Sequence, residues 1–303
     1  MQSKRQTSSY LKTRFREIGI QPNARFGQNF LIDLNLIDVL VNAAAIDSND
    51  VVLEVGTGTG SLTGKLAKRA KHVITVEIDK QLSQLAQEEL IEATNITFLT
   101  NDALRNKNNL SNELLDTIRE ALDVEPRPGF KLVANLPYCV ATPVISNLLM
   151  SEFMPDSITV TIQKELADRL IAVPSTKDYG SLSVIVQSLC FAQIVRELPP
   201  SVFWPQPKVN SAIIQLILDR QKLDRISDLS FFHHFVRRLF LHRRKFLRSG
   251  LVGAWKGELT KQDIDELMAA MELGPNSRAE ELTIEQILKL SDLCQEKLKQ
   301  AEA

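Results

Sequence analysis

Apolar residues in the first two-thirds of the chain follow two alternating rhythms. Short continuous runs at Val51–Val55, Val73–Val76, Ile96–Leu99, Leu132–Ala134, Ile158–Ile162, Val184–Val195 and Ala212–Leu218 read as buried strands. Between them lie helically spaced stretches. Asp33 can cap a helix carrying Leu34, Ile37, Leu40, Val41 and Ala44, and Leu62–Ala70 and Gln81–Leu90 supply two more. Apolar strands alternating with helices predict an α/β fold with a mostly parallel sheet covered on both faces. After Asp219 strand signals stop and helical periodicity takes over. The expected division is therefore 1–219, a sheet domain with a basic N-terminal arm, and 220–303, a small all-helical domain. Asn106–Pro128 is a polar, partly helical insertion with no assigned function.

The 303 residues are 44% hydrophobic and 24% charged, which excludes wholesale disorder. With 36 Lys+Arg against 37 Asp+Glu, a uniformly basic surface is excluded too. The richest apolar stretch, Ser181–Val195, is broken by polar residues and too short to span a bilayer. No apolar run follows the charges of the N-terminus, so no secretory signal is read. A cytoplasmic protein with no membrane association is expected. Three scattered cysteines suit a reducing compartment, and four histidines lack ligand spacing, so no metal is expected. Charge is uneven, however. Residues 1–25 carry Lys4, Arg5, Lys12, Arg14, Arg16 and Arg25 against Glu17 alone. Residues 220–250 carry nine bases against Asp224 and Asp228. Two such segments read either as polyanion contacts or as solvated faces.

Chemistry concentrates at the ends of the expected strands. Glu54-Val55-Gly56-Thr57-Gly58-Thr59-Gly60 follows the first, where glycines permit positive φ and close approach of a ligand to the backbone. The dinucleotide spacing G-x-G-x-x-G fails from Gly56 (Ser61) and from Gly58 (Thr63). An acid before Gly-x-Gly-x-Gly is instead what methyltransferases use for S-adenosylmethionine. Glu77 ends the second strand, where a carboxylate can accept both ribose hydroxyls. Asp102 follows the third, where it can accept the adenine amino hydrogen. Asn135-Leu136-Pro137-Tyr138 follows the fourth. An adenine amine is a poor nucleophile because its lone pair is delocalised. An Asn oxygen and a backbone carbonyl can hold its two N–H bonds and turn the lone pair toward a methyl sulfonium, while Pro137 restricts the turn and Tyr138 offers a stacking face.

Together with Arg25–Leu31, Gln163–Glu165, Tyr179–Ser183, Val202–Val209 and Arg243–Lys245, these blocks resemble the small-subunit (16S) ribosomal RNA adenine dimethyltransferases, the kasugamycin-sensitivity family. The resemblance implies a Rossmann-like S-adenosylmethionine-dependent methyltransferase sheet with a C-terminal helical domain. It implies two N6 methylations on each of two adjacent adenines in the 3′-terminal hairpin of 16S rRNA, within the small subunit, in ribosome biogenesis; a monomer is expected. By motif position, Gln28, Asn29 and Leu31 would contact the cofactor beside Gly56, Gly58, Gly60, Glu77, Asp102 and Asn135, and Phe203 would complete an aromatic clamp with Tyr138. Arg237, Arg238, Arg243, Arg244, Lys245 and Arg248 would grip RNA phosphates. Phe231, Phe232, Phe235, Phe240 and Phe246 are expected in the helical core. The insertion at Asn106–Pro128 exceeds the family's usual spacing. Rival readings are a 23S rRNA adenine methyltransferase of the macrolide-resistance kind and a non-enzymatic RNA-binding assembly factor on the same fold. A DNA adenine methyltransferase is disfavoured because those generally carry proline where Leu136 stands.

Overall fold

The structure is a computed structural model, which describes residues 8–17, 19, 21–23 and 26–302. In chain order the first elements are α1 (Ser8–Glu17), β1 (Phe30–Leu31), α2 (Leu34–Ala43), β2 (Val51–Val55), α3 (Ser61–Ala67), β3 (His72–Val76), α4 (Lys80–Glu89) and β4 (Ile96–Leu99). There follow β5 (Leu104–Asn106), β6 (Asn109–Leu110), α5 (Asn112–Leu122), β7 (Phe130–Asn135), α6 (Ala141–Leu149), β8 (Ser157–Gln163), α7 (Lys164–Leu170), α8 (Ser181–Leu189) and β9 (Cys190–Leu198). The last are β10 (Phe203–Trp204), β11 (Ser211–Leu218), α9 (Arg220–Leu223), α10 (Leu229–Phe240), α11 (Leu247–Ala254), α12 (Lys261–Ala270) and α13 (Ile284–Glu302).

Seven strands form the main sheet in the order β4-β3-β2-β7-β8-β11-β9. Contacts from β4 through β8 are parallel, and β11 runs antiparallel to β8. The burial of all five β2 residues reflects cover on both faces. Strand order reverses between β2 and β7, so the turns after these two strands lie side by side at the carboxyl edge. That is where open α/β sheets hold their ligands. The expected Asp33 cap forms, its carboxylate accepting from the Asn35 N–H at 2.9 Å. In the insertion, α5 is capped by Ser111 and buries Leu114, Ile118 and Leu122 along one stripe, so it is a packed helix.

The chain resolves into two compact units. The first takes the residues up to Ala167 and Gln193–Leu218; the second takes Asp168–Ala192 and everything from Asp219 on. The expected 1–219 and 220–303 division thus misses that Asp168–Ala192 belongs with the C-terminal helices. The same segment corrects a strand: Val184–Val195 was expected to be extended, but Ser181–Leu189 is helical and only Cys190–Leu198 is a strand. The β-branched run Val184-Ile185-Val186 argued for extension, yet burial of the helix on most sides removes the polar stripe that would have betrayed it. Its start is held by Ser183, whose Oγ accepts from the Gly180 N–H at 3.0 Å.

Within the second unit, α10 is capped by Asp228 and buries Phe232, Phe235, Val236 and Leu239 at helical spacing. Phe231, Phe235 and Trp255 stack, and the buried Tyr179 donates its hydroxyl to the Leu282 carbonyl at 2.9 Å. Phe246 departs from the expected core: it is 46% exposed, with the Arg278 guanidinium 5.8 Å from its ring centre.

Candidate active site

Gly56, Gly58 and Gly60 all have positive φ, at 91°, 55° and 77°, which is the conformation the turn after β2 requires. Two of them are also spatially constrained. A Cβ on Gly56 would stand 3.2 Å from the Pro137 ring, and one on Gly58 would stand 3.3 Å from Phe30. The glycine turn is therefore in direct contact with both the Asn-Leu-Pro-Tyr turn and the strap leading into β1.

Glu77 sits where Glu77 N–H donates to the Leu99 carbonyl, at the end of β3. Its carboxylate is almost fully buried, accepting from the Gly58 N–H at 2.9 Å through Oε2 and from the Asp79 N–H at 3.0 Å through Oε1. Burial pushes its pKa up, and the backbone N–H groups of Asp79, Gly58 and Ile78 oppose the rise. The carboxylate keeps lone-pair capacity for a ligand hydroxyl. Asp102 is exposed; its Oδ1 accepts from the Leu104 N–H at 2.9 Å, a tight local turn that leaves Oδ2 without a partner among the described residues.

The strap around Gln28–Leu31 is fastened to these same pieces. Gln28 donates to Asp79 at 3.1 Å, and the Asn29 carbonyl accepts from Asn135 Nδ2 at 2.9 Å. Leu31 is buried beside Gly56 and Asn135 in the cavity of this edge. Asn135 ends β7 with its amide NH2 committed to Asn29 and its Oδ1 left as an acceptor. Leu136 is buried and donates its N–H to the Thr161 carbonyl at 3.1 Å, and the Tyr138 hydroxyl lies 2.6 Å from Ser211 Oγ. Phe203 is different. It pairs with Leu31 across β1 and β10, is 1% exposed and packs with Ile37, Leu40 and Val133. Expected as the second jaw of a clamp, it presents no free ring face in this structure.

Beneath the glycine turn lies a network that the strand-end motifs do not announce. Glu54, 1% exposed, accepts from Thr63 at 2.6 Å and Thr75 at 2.7 Å, and Thr75 lies 2.6 Å from Thr57. Burial raises the Glu54 pKa to about 8, with the hydroxyl bonds opposing. At neutral pH the carboxyl is thus largely protonated and bridges β2, β3 and α3. The signal for it was present, an acid inside an otherwise apolar strand, but Thr63 and Thr75 are nine and 21 positions away.

Six basic residues were expected to face RNA. Arg238 is bonded to Glu258 at 2.8 Å with its guanidinium 4.0 Å from the Trp255 ring centre. Arg243 donates to the carbonyls of Tyr179 and Lys177 (2.7 Å for the latter) and lies 3.6 Å from Glu280, and Arg248 pairs with Asp265 at 2.8 Å. Arg237, Arg244 and Lys245 are exposed and have no ion-pair partner among the described residues. In the N-terminal arm, Lys4, Arg5 and Arg25 lie outside the described residues, and Arg14 pairs with Glu17 at 3.5 Å. Among the described residues no group of three or more His, Cys, Asp or Glu could hold a metal, and no helix is long and apolar enough to cross a membrane.

A profile described as ribosomal RNA adenine dimethylase matches residues 19–296. The chain belongs to that family. A Clostridium acetobutylicum protein named ribosomal RNA small subunit methyltransferase A is 39% identical over 269 residues, 88% of this chain and 92% of its own. A protein of the same name from Alkaliphilus oremlandii is 41% identical over 274 residues, 90% and 91% of the two chains. Among solved structures, a dimethyladenosine transferase from Plasmodium falciparum shares the fold with a TM-score of 0.73 at 24% identity, over 88% of this chain and 97% of that one. The 23S rRNA methyltransferase ErmE gives 0.60 at 25% identity, over 88% and 99%. The dimethylase uses S-adenosylmethionine as methyl donor and modifies rRNA adenines. The glycine turn, with three positive-φ residues and a buried carboxylate at the neighbouring strand end, suits a nucleoside-bearing cofactor.

Proposed function

We propose that this dimethylase converts two adjacent adenines of the 3′-terminal hairpin of 16S rRNA to their N6-dimethyl forms, acting as a monomer on the small ribosomal subunit in the cytoplasm. One observation carries the reading: Asn135 is turned by its bond to the Asn29 carbonyl so that Oδ1 remains free, next to the glycine turn. That oxygen accepts one N6–H of an unpaired adenine, and a backbone carbonyl of the Asn135–Pro137 turn accepts the other. The amine lone pair is thereby aimed along the methyl transfer path, a matter of orientation more than of acid–base chemistry. Tyr138 stacks on the base, held by its hydroxyl contact with Ser211.

Gln28, Asn29, Leu31, Gly56, Gly58, Gly60, Glu77 and Asp102 are assigned to the cofactor. Glu77 takes the ribose hydroxyls on its remaining lone pairs, and Asp102 Oδ2 takes the adenine amine. S-adenosylmethionine supplies the electrophilic methyl. The C-terminal helices are assigned to RNA, chiefly through Arg237, Arg244 and Lys245. Arg238, Arg243 and Arg248 serve the fold first, and Phe203 serves as a wall behind Leu31.

The small-subunit substrate is favoured over 23S rRNA by the shared name of the curated relatives. Tritiated methyl transfer to unmethylated small subunits, to naked 16S RNA and to 23S RNA tests it. Dimethyladenosine in the small-subunit arm is expected; label in 23S RNA alone overturns the reading.

A further inference from the structure

A cavity of about 240 Å³ is lined wholly by residues of the second unit, none of which belongs to the methyl-transfer edge. Its walls include Gln187, Cys190, Phe191, Lys222, Arg225 and Glu285. The arrangement is preformed. Lys222 Nζ donates to the carbonyls of Gln187 at 3.1 Å and Cys190 at 2.9 Å, at the C-terminal end of α8, so a cation is fixed in the wall with one N–H to spare. The Gln187 amide is oriented by two bonds from Nε2, to Leu170 at 3.0 Å and Ala172 at 2.8 Å, which leaves its Oε1 as an acceptor. Arg225 is exposed with no side-chain partner among the described residues, and Phe191 is 57% exposed, although an aromatic ring ordinarily buries itself.

Covalent chemistry at Cys190 is excluded. The Cys190 thiol is 2% exposed and burial pushes its pKa to about 12, so it is neither a thiolate nor accessible. What remains is an open ring face, a free cationic fork, a fixed ammonium, and amide and carboxylate acceptors. A ring face beside a cation is the pair of features that receives an unstacked base and its phosphate. The volume is below that of drug-sized pockets and suits one base, not a chain of them.

We propose that this cavity is an accessory nucleotide site, distinct from the site of methyl transfer. The base packs on Phe191 with its amino and imino hydrogens toward Gln187 Oε1 and Glu285, and the phosphate meets Arg225 and Lys222. The ligand is a nucleoside monophosphate unit, either free in solution or one nucleotide of the rRNA substrate. The second source rests on the rRNA reading above.

The experiment compares wild type with Phe191→Ala/Arg225→Ala, both positions being at the surface, and with Arg225→Glu, which keeps the ring. In the two binding arms each protein is first saturated with S-adenosylhomocysteine to fill the cofactor site; the controls are run without it. One arm follows millimolar AMP by saturation-transfer NMR; the other measures affinity for unmethylated small subunits. S-adenosylmethionine affinity and methylation of subunits at saturating concentration are controls, and both are expected to match wild type. If the nucleotide belongs to the rRNA, subunit affinity of the double variant falls roughly 5- to 150-fold, the range for losing a base–aromatic stack, and Arg225→Glu weakens it as well. AMP transfer seen in wild type and lost in both variants, with subunit affinity unchanged, assigns the site to a free nucleotide. Unchanged behaviour in both arms overturns the proposal. A wild type that methylates no small subunit overturns the rRNA reading instead and leaves the AMP arm to decide the cavity.

Discussion

At the carboxyl edge of the sheet two acids, Glu54 and Glu77, are buried and held by N–H and O–H donors of adjoining turns and strands, whereas Asp102 is exposed. Between Arg237 and Arg248 in the helical unit the important side chains are bases. Half are exposed and half are tied to acids or carbonyls 17 to 66 positions away. A buried acid whose bonds are already made is pre-organised, and costs little further ordering when a ligand arrives. An exposed base gains from a polyanion mainly by releasing counterions, and so depends on salt. The difference teaches that equal charge density does not mean equal function. Arg243 and Arg244 are neighbours in sequence, yet one braces Lys177–Tyr179 and Glu280 while the other is free.

The largest effect belongs to the edge. Asn135→Ala is expected to lower the methylation rate about 100- to 1,000-fold, by analogy with deleting one transition-state hydrogen bond, while subunit affinity stays near wild type. Single-turnover kinetics with unmethylated subunits read this directly; turnover within a few-fold of wild type would remove the amine-orienting role. Glu77→Ala comes next, with S-adenosylmethionine binding weakened by about 1.5–3 kcal/mol. Calorimetry showing equal affinity in a folded variant would place the ribose elsewhere.

Glu54 sharpens the contrast through pH. Its folded pKa of about 8 lies above the ordinary 4.5, so the folded state binds the proton more tightly than the unfolded chain. The sign follows: this contribution is complete below about pH 4.5 and is lost as pH rises toward 8. Urea midpoints at pH 5.5 and 8.5 should therefore be closer together in Glu54→Gln than in wild type. An equal gap in both proteins would mean Glu54 does not titrate in that window.

The smallest effects divide the two arginines. Arg243→Ala is expected to cost about 1–2 kcal/mol of stability, discounted for its partial exposure. Arg244→Ala should leave stability within about 0.5 kcal/mol and reduce the salt slope of subunit binding by somewhat under one unit. Thermal melts and a salt series on both variants decide the matter. Equal melting loss with parallel salt lines would erase the distinction between bracing and phosphate contact.

Most of the edge was legible in the chain itself. Gly56–Gly60, Glu77, Asp102 and Asn135 each follow an apolar run directly, and a strand-end position is a local property that periodicity exposes. The parallel sheet followed from the same alternation. Tertiary structure alone decided the rest, because each case turns on a partner far along the chain. Val184–Val186 is helical because neighbours from elsewhere bury nearly all of it, erasing the amphipathic stripe. Phe203 is a wall because β10 pairs with β1, more than 170 positions earlier, and Phe246 is outside because of where Arg278 and its turn lie. The arginines divide by which acids the fold brings within reach. Periodicity reports which face of an element is apolar; only packing decides what meets it.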